Sequence, residues 1–370
     1  MWGILLAVVS HAASRITLGI EEEVFITTPT RPTLDALYAL AKLLWRHPRF
    51  YYKHTASNFA RGRDARRCLM SSVEIATRPH TDIDALLREL RTHRTALADA
   101  AGDAYLVPVG HLFDLDAPTN TAGLHLHIGV PPERRPVVYA NLAHFLPLLT
   151  LLTASSPYAR GRYVGPSYRV AASFAIGTLR TDPYYRFQDL ILSRRLGTIE
   201  IRVFDPVWDL ERLRVLLHAV WAIAQMPTAR PIDRARYAAL RHQAACVGYT
   251  PDLQALEREL RPLYAIPEEL LHATISEALH AHMRQSSQDG LLSTYAHLDH
   301  AYRTGRWEPV AFRWVRPSVW RGALGVLGYY VPRLPYMAYK AWAEWRAPIR
   351  AGYSVAETVA GDPAICRADS

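Results

Sequence analysis

The chain has 370 residues, half of them hydrophobic and 21% charged, with a net charge of +9 and a pI near 9.5. That balance excludes a disordered or fibrous chain and describes a globular protein, large enough for one big domain or two modest ones. Lysine is scarce beside arginine and no dense basic run carries interleaved aromatics, so a nucleic-acid partner is not expected; the positive charge suits ATP and small carboxylates.

The N-terminal stretch is apolar through Val9 and carries Ala12 and Ala13, but lacks the basic start of a signal peptide. The first strong element is a strand over residues 16–26. Read with a period of two, Ile16, Leu18, Ile20, Val24 and Ile26 share one face with Glu22. Thr17, Gly19, Glu21, Glu23 and Phe25 share the other. Glu21 and Glu23 would lie roughly 7 Å apart on a regular strand, close enough to call for a cation between them.

A helix follows, capped by Thr33 or Asp35, with Leu34, Leu37, Leu40, Leu43 and Leu44 at helical spacing, ending before Pro48. Residues 53–67 read as a basic loop that feeds a second strand, where Ser72 and Glu74 oppose Val73 and Ile75. Residues 81–101 form an amphipathic helix with acid near its start, and 104–110 a short strand. The third two-faced strand sets His125 and His127 against Leu124, Leu126, Ile128 and Val130. Residues 137–156 make a nearly all-apolar, buried helix. A Gly/Arg/Tyr loop then carries Arg160, Arg162 and Arg169, whose guanidiniums can grip carboxylate or phosphate in a fork. Residues 173–177 read as a further strand. The fourth two-faced strand sets Glu200 and Arg202 against Ile199, Ile201 and Val203. Residues 210–224 form a helix, and 251–283 hold two or more.

Beyond Arg306 the character changes, with five of the nine tryptophans falling there. The expected division is a catalytic domain over 1–305 and a Trp-rich extension over 306–370 packed against it; an oligomer contact or a membrane-touching surface are the other readings of that extension. Cys68, Cys246 and Cys366 are far apart and lack metal-site spacing, which fits free thiols in a reducing compartment and a cytoplasmic protein. No apolar run reaches the ~20 residues that span a bilayer.

Four strands thus repeat one plan, an apolar back and a titratable front. In a shared sheet the fronts would merge into one acidic surface with two imidazoles. Glu21, Glu23, Glu74 and Glu200 offer the hard oxygens that Mg²⁺ or Mn²⁺ prefers, with His125 or His127 beside them. Arg169 and Arg202 would meet phosphate or carboxylate oxygens. Neither a Walker A loop nor a Rossmann glycine motif is present, so a nucleotide would be held by the sheet itself.

The segments LGIEEEVF, SSVEIAT, GLHLHIGV, LTASSPYARG and GTIEIRVFD occur in the order found in the type 2 glutamate–cysteine ligases, also called carboxylate–amine ligases, and the chain resembles that family from about residue 16 to about 300. The resemblance implies an α+β, glutamine-synthetase-like fold: a curved antiparallel sheet of about six strands forming a funnel, with helices on its outer face. It implies ATP-dependent ligation, in which the γ-carboxylate of L-glutamate takes the ATP γ-phosphate and the acyl phosphate is captured by the amine of L-cysteine, with Mg²⁺ neutralising the phosphates. By position it makes Glu21, Glu23, Glu74, His125 and Glu200 the metal ligands. Arg169 and Arg202 are the catalytic arginines, and Ser72, His127, Arg160 and Arg162 contact substrate or nucleotide. Partners are then amino acids and ATP, with room for a homo-oligomer.

The basic run at 61–67, the Trp-rich tail and the replacement of a family arginine by the stretch around Arg241 depart from the pattern. They bear on the amine acceptor more than on the ATP chemistry. Competing readings are a ligase with another acceptor, a zinc hydrolase built on the His-x-His strand, and a binding protein without turnover.

Overall fold

The computed structural model describes residues 16–47, 51–55, 72–285 and 289–335, together with 338, 339 and 342. The strands are β1 (Thr17–Thr27), β2 (Tyr51–Thr55), β3 (Ser72–Ala76), β4 (Tyr105–Val107), β5 (Leu124–Gly129), β6 (Tyr158–Ala159), β7 (Arg162–Tyr163), β8 (Leu190–Ser193) and β9 (Thr198–Phe204). The α-helices are α1 (Asp35–Arg46), α2 (Ile83–Ala101), α3 (Arg135–Leu149), α4 (Tyr168–Ala172), α5 (Leu210–Gln225), α6 (Arg234–Cys246), α7 (Pro251–Leu260), α8 (Glu268–His272), α9 (Ile275–Gln285), α10 (Gly290–Thr304) and α11 (Val319–Tyr330).

One antiparallel sheet organises the chain, in the order β2-β3-β1-β5-β9-β8, with β4 pairing the far end of β1. Strands distant in sequence become neighbours: β1 lies between β3 and β5, and β5 between β1 and β9. Burial of the apolar backs drives this arrangement. Leu18, Ile20, Val24, Val73, Ile75, Leu124, Leu126, Ile128, Ile199, Ile201 and Val203 are at most 1% exposed and pack into one core with α1, α2, α3, α5 and α6. The fold is therefore α+β, with helices on the back of an antiparallel sheet.

Glu22 shares that apolar face, as its place in the alternation requires, and is fully buried. Arg94 of α2 reaches both its oxygens, at 3.0 and 2.5 Å, and the Tyr302 hydroxyl of α10 donates to it at 3.0 Å. The same guanidinium donates to the carbonyls of Val207 and Trp208, tying β1 to the segment after β9.

Side-chain caps set several helix starts. Asp82 accepts from the amides of Asp84 and Ala85 at α2, Asp209 from Glu211 and Arg212 at α5, and Ser318 from Arg321 at α11. At α1 the Thr33 hydroxyl accepts from the Asp35 amide. The apolar helix expected over 137–156 runs as α3 to Leu149 and tightens to a 3-10 turn at Thr150–Leu152.

A second core covers one end of the front of the sheet. Phe25, at the end of β1, joins Tyr105, Val107, Phe113, Tyr158 and Tyr295 in it. That core closes one end of the front and leaves the end near Glu21, His127 and Thr198.

Several expectations are corrected. Residues 51–55, read partly as loop, form β2 on the edge beside β3, while 56–71 lie outside the described residues. Residues 173–177 are not a strand; the strand in that region is β8, paired with β9. Cys246 is disulfide-bonded, not a free thiol, and Cys68 and Cys366 fall outside the described residues. Disulfides persist in oxidising surroundings, so Cys246 gives no support to a reducing compartment.

Among the described residues after 305, Arg313 and helix α11 pack on what precedes them. The Arg313 amide donates to the Tyr105 hydroxyl at 2.9 Å, and that hydroxyl donates to the Arg313 carbonyl at 2.6 Å. Helix α11 lies on α1 through Gly325, where a Cβ would come within 2.7 Å of the Tyr38 amide nitrogen. Among the described residues no helix is long and apolar enough to cross a membrane.

Candidate active site

The pairing register brings the fronts together. Glu23 lies opposite Glu74, Glu21 opposite His125, and His127 opposite Glu200. With a side-chain period of two, all six project to the same side of the sheet. Glu21, His125 and Glu200 each offer a donor atom within 4.8 Å of the other two. His125 Nδ1 is 3.5 Å from Glu21 Oε2 and 4.0 Å from Glu200 Oε1. His127 Nε2 is 3.6 Å from Glu21 Oε1, and its Nδ1 is 3.3 Å from the Thr198 hydroxyl.

The electrostatics follow from this crowding. Burial alone would raise the Glu21 carboxyl, but hydrogen bonds and charge from His125 and His127 outweigh it and hold the group well below the usual carboxylate range. Glu200 is likewise lowered: burial opposes, while His125, Arg202 and His127 prevail. Burial and then Arg202 push His125 down, with Glu21, Glu23 and Glu200 opposing in part. A divalent cation at this cluster would take the carboxylates ionised and stand in for the positive charge that a protonated imidazole supplies.

The donor set fits such an ion. Two carboxylates and an imidazole converge within 4.8 Å, with the second imidazole, His127, 3.6 Å from Glu21. Mixed oxygen and nitrogen ligation suits Mn²⁺ or Zn²⁺ by chemistry and Mg²⁺ by its carboxylate share. Glu23 is anchored beside the cluster, its Oε2 accepting from the Gly123 amide at 2.7 Å. Glu74 is 1% exposed and faces Glu23 across the β1–β3 pair.

Arg202 donates to Glu200 Oε1 at 2.6 Å, one charge pairing another on the same strand face. Arg169 sits differently from the substrate contact expected of it. It is 2% exposed, and its Nη1 donates to the carbonyls of Val203 and Phe204 at 2.9 and 3.0 Å. Its Nη2 donates to the Arg202 carbonyl at 2.8 Å. The guanidinium thus clamps the backbone of β9 beneath Arg202. Ser72 is 1% exposed and lies opposite Phe25, at the closed end of the front. Arg160 and Arg162 stand on the exposed β6–β7 hairpin, where Arg160 pairs with Asp116; no contact joins either to the carboxylate cluster.

Residues that the sequence did not flag complete the surroundings. Asp205, 1% exposed, accepts from the Ser155 amide and from the Ser156 and Ser167 hydroxyls, and its Oδ1 is 3.7 Å from Arg169. Asp189 accepts from Tyr237 at 2.7 Å and from Arg241 at 2.5 and 3.1 Å, while its carbonyl accepts the Arg202 amide at 2.7 Å. Both aspartates therefore brace β9 at Arg202. The hydroxyls that gather on Asp205 come from Ser156 and Ser167, far from it in sequence.

The sheet and its front define a class: an α+β protein with a carboxylate–imidazole centre suited to a cation and its anionic cargo. No family model matches the chain. A curated relative from Azoarcus sp. (strain BH72), provisionally named glutamate–cysteine ligase 2, is 27% identical over 201 residues, 46% of this chain and 51% of the relative. The chain thus spans about half the length of that relative. One of the same name from Ruegeria pomeroyi is 26% identical over 360 residues, 79% of this chain and 91% of the relative. Among solved structures, the glutamate–cysteine ligase of Francisella tularensis in complex with AMP matches with a TM-score of 0.54 at 12% identity, over 91% of this chain and 96% of that one. A bifunctional glutathione synthetase from Pasteurella multocida matches with a TM-score of 0.54 at 13% identity, over 79% of this chain and 52% of that one. At such identities the solved structures speak for the fold, and the curated relatives for kinship. Together they make the chain similar to proteins named type 2 glutamate–cysteine ligases, at low identity.

Proposed function

We propose that the protein is an ATP-dependent carboxylate–amine ligase, with L-glutamate as the acid and L-cysteine as the amine, and that its sheet forms the wall of a funnel around the reacting groups. Residues 1–305 are the proposed catalytic unit, and we place it in the cytoplasm, where ATP and amino acids are abundant. The convergence of Glu21, His125 and Glu200 on one sheet face carries this reading.

In the proposed reaction a carboxylate oxygen attacks the ATP γ-phosphorus and ADP leaves. The amine nitrogen then attacks the acyl carbon, phosphate leaves, and the nitrogen gives up a proton. Glu21, Glu200 and His125, backed by Glu23 and Glu74, would hold Mg²⁺ or Mn²⁺, which when bound neutralises phosphate charge. Arg202 orients anionic oxygen and is itself set by Arg169, Asp189 and Asp205. No side chain serves as a covalent nucleophile; rate comes from positioning and charge.

The test is ADP release with Mg²⁺ or Mn²⁺ from amino acids given singly and in pairs. Release that needs glutamate plus cysteine supports the full reading. Release with another pair keeps the ligase and changes the acceptor. Hydrolytic turnover without nucleotide, in protein carrying tightly bound zinc, replaces the reading with a hydrolase on the same donor set.

A further inference from the structure

Helix α11 is built inside out. Its small residues face the protein: Gly322 and Gly325 are buried against α1 and its start, where a Cβ on Gly322 would stand 3.0 Å from the Leu34 Cβ. Its large residues face away. Val319, Trp320, Leu324 and Leu327 lie within about 140° of the helix circumference, and Val331 and Leu334 continue the same surface. All of them are between 51% and 87% exposed. Trp45 of α1 is exposed beside them, its Nε1 3.8 Å from the place of a Cβ on Gly328. A surface helix of a globular protein does the reverse, burying its large apolar side chains and turning polar ones outward. A contiguous apolar face of this kind marks a surface made to be covered.

The charge around this face selects its cover. Between Glu308 and Glu344 the sequence holds no acid, while Arg313, Arg316, Arg321, Arg333 and Lys340 fall there. Asp103, just beyond α2, reaches Arg313 and Arg321 at 3.3 and 3.7 Å and offsets part of that charge. A second copy would set these cations against their own images, because a two-fold contact pairs a patch with itself. Residues 344–370 carry acids and bases in near balance and bring little complementary charge. Anionic lipid answers both features. Its headgroups meet the arginines, while Trp320 and the aliphatic side chains enter the boundary with the acyl chains, where tryptophan is enriched. With 12 residues, α11 is too short to cross a hydrocarbon core of about 30 Å and would lie in its plane. We infer that the outer face of α11 docks the protein on anionic phospholipid bilayers as a peripheral contact. Helix α11 rests on α1, which packs on the back of the sheet, so docking leaves the carboxylate front free. The inference stands independently of the ligase reading.

The full-length protein is floated with vesicles of phosphatidylcholine alone and of phosphatidylcholine with phosphatidylserine. Partitioning is expected to be about ten-fold or more stronger on the phosphatidylserine vesicles, and to weaken as salt is raised. Trp320→Glu combined with Leu327→Glu should lower it by at least about ten-fold, while the urea midpoint holds, because both side chains point outward. Arg316→Glu keeps the apolar face and should cut the preference for phosphatidylserine several-fold, so it reads the contact even if the double variant folds poorly. Equal flotation with both vesicles, or flotation that neither variant changes, would overturn the inference. So would a wild type that floats with neither. Sedimentation then says what covers the face instead: a dimer that the double variant splits assigns it to a second copy, and a monomer to the chain's own C-terminal residues.

Discussion

The guanidinium of Arg169 fills the space a side chain would need at residue 123: a Cβ on Gly123 would lie 2.4 Å from Arg169 Nη2 and 3.0 Å from His125 Nε2. Gly123 also trades hydrogen bonds with Glu23, donating to its carboxylate at 2.7 Å and accepting from its amide at 2.9 Å. One residue without a side chain thus sets a candidate metal ligand, an imidazole and a buried arginine in register. Gly123→Ala is expected to cost about 1–3 kcal/mol by overpacking. It should also displace His125 enough to weaken Mn²⁺ binding. Denaturant titration and the Mn²⁺ electron paramagnetic resonance signal read the two effects separately; unchanged values in both would remove Gly123 from the site.

Arg169 distinguishes a clamp from a substrate contact. Its donors reach the carbonyls of Arg202, Val203 and Phe204, and Asp205 faces it at 3.7 Å. Arg169→Met leaves those acceptors and a buried carboxylate without their cation, a loss of about 3–5 kcal/mol. Lysine cannot span three carbonyls with one ammonium, so Arg169→Lys should recover only part of that stability. A fully stable Arg169→Lys protein with a raised substrate KM would instead restore the arginine to direct contact.

Glu22 and Arg94 form the buried pair behind the centre. Glu22→Leu strands the Arg94 guanidinium beside the Tyr302 ring, and a cost of about 3–5 kcal/mol is expected. Glu22→Leu with Arg94→Met should cost less than Glu22→Leu alone, because the uncompensated charge is gone even though the Val207 and Trp208 carbonyls lose a donor. Urea midpoints for the single and double variants test this; an additive double variant would mean that the pair contributes no coupling.

The front of the site was legible because a strand alternates strictly. Glu21, Glu23, Glu74, His125, His127, Glu200 and Arg202 each stood opposite an apolar partner in sequence, and the pairing register gathers them. What stayed hidden has no local pattern. Arg169 bonds to backbone carbonyls more than thirty residues away, and a carbonyl leaves no mark in a sequence. Strand β8 is a short apolar run whose partner β9 supplies its meaning, and β2 reads as polar because it is an edge.

His111 gives the fold an acid sensitivity of its own. The ring is fully buried beside Tyr168, 4.3 Å between centres. Its Nδ1 is 3.3 Å from the Tyr158 carbonyl, which can only accept, and its Nε2 is 3.4 Å from the Ala117 amide, which can only donate. Those partners require the neutral tautomer with the proton on Nδ1. Burial pushes the group down to about 4, against weaker upward pulls from the Tyr158 carbonyl and Asp116. The unfolded chain, with its histidine near 6.5, binds a proton in a range where the folded chain does not. Stability is therefore full above about pH 6.5 and falls as pH drops toward about 4, by roughly 3 kcal/mol from this residue alone. Below the folded value both states are protonated and the loss levels off. His111→Asn removes the titrating group, so its stability should be lower at neutral pH but flatter between pH 6.5 and 4. Urea unfolding across that range checks the slope: parallel wild-type and variant curves would show that the acid sensitivity arises elsewhere.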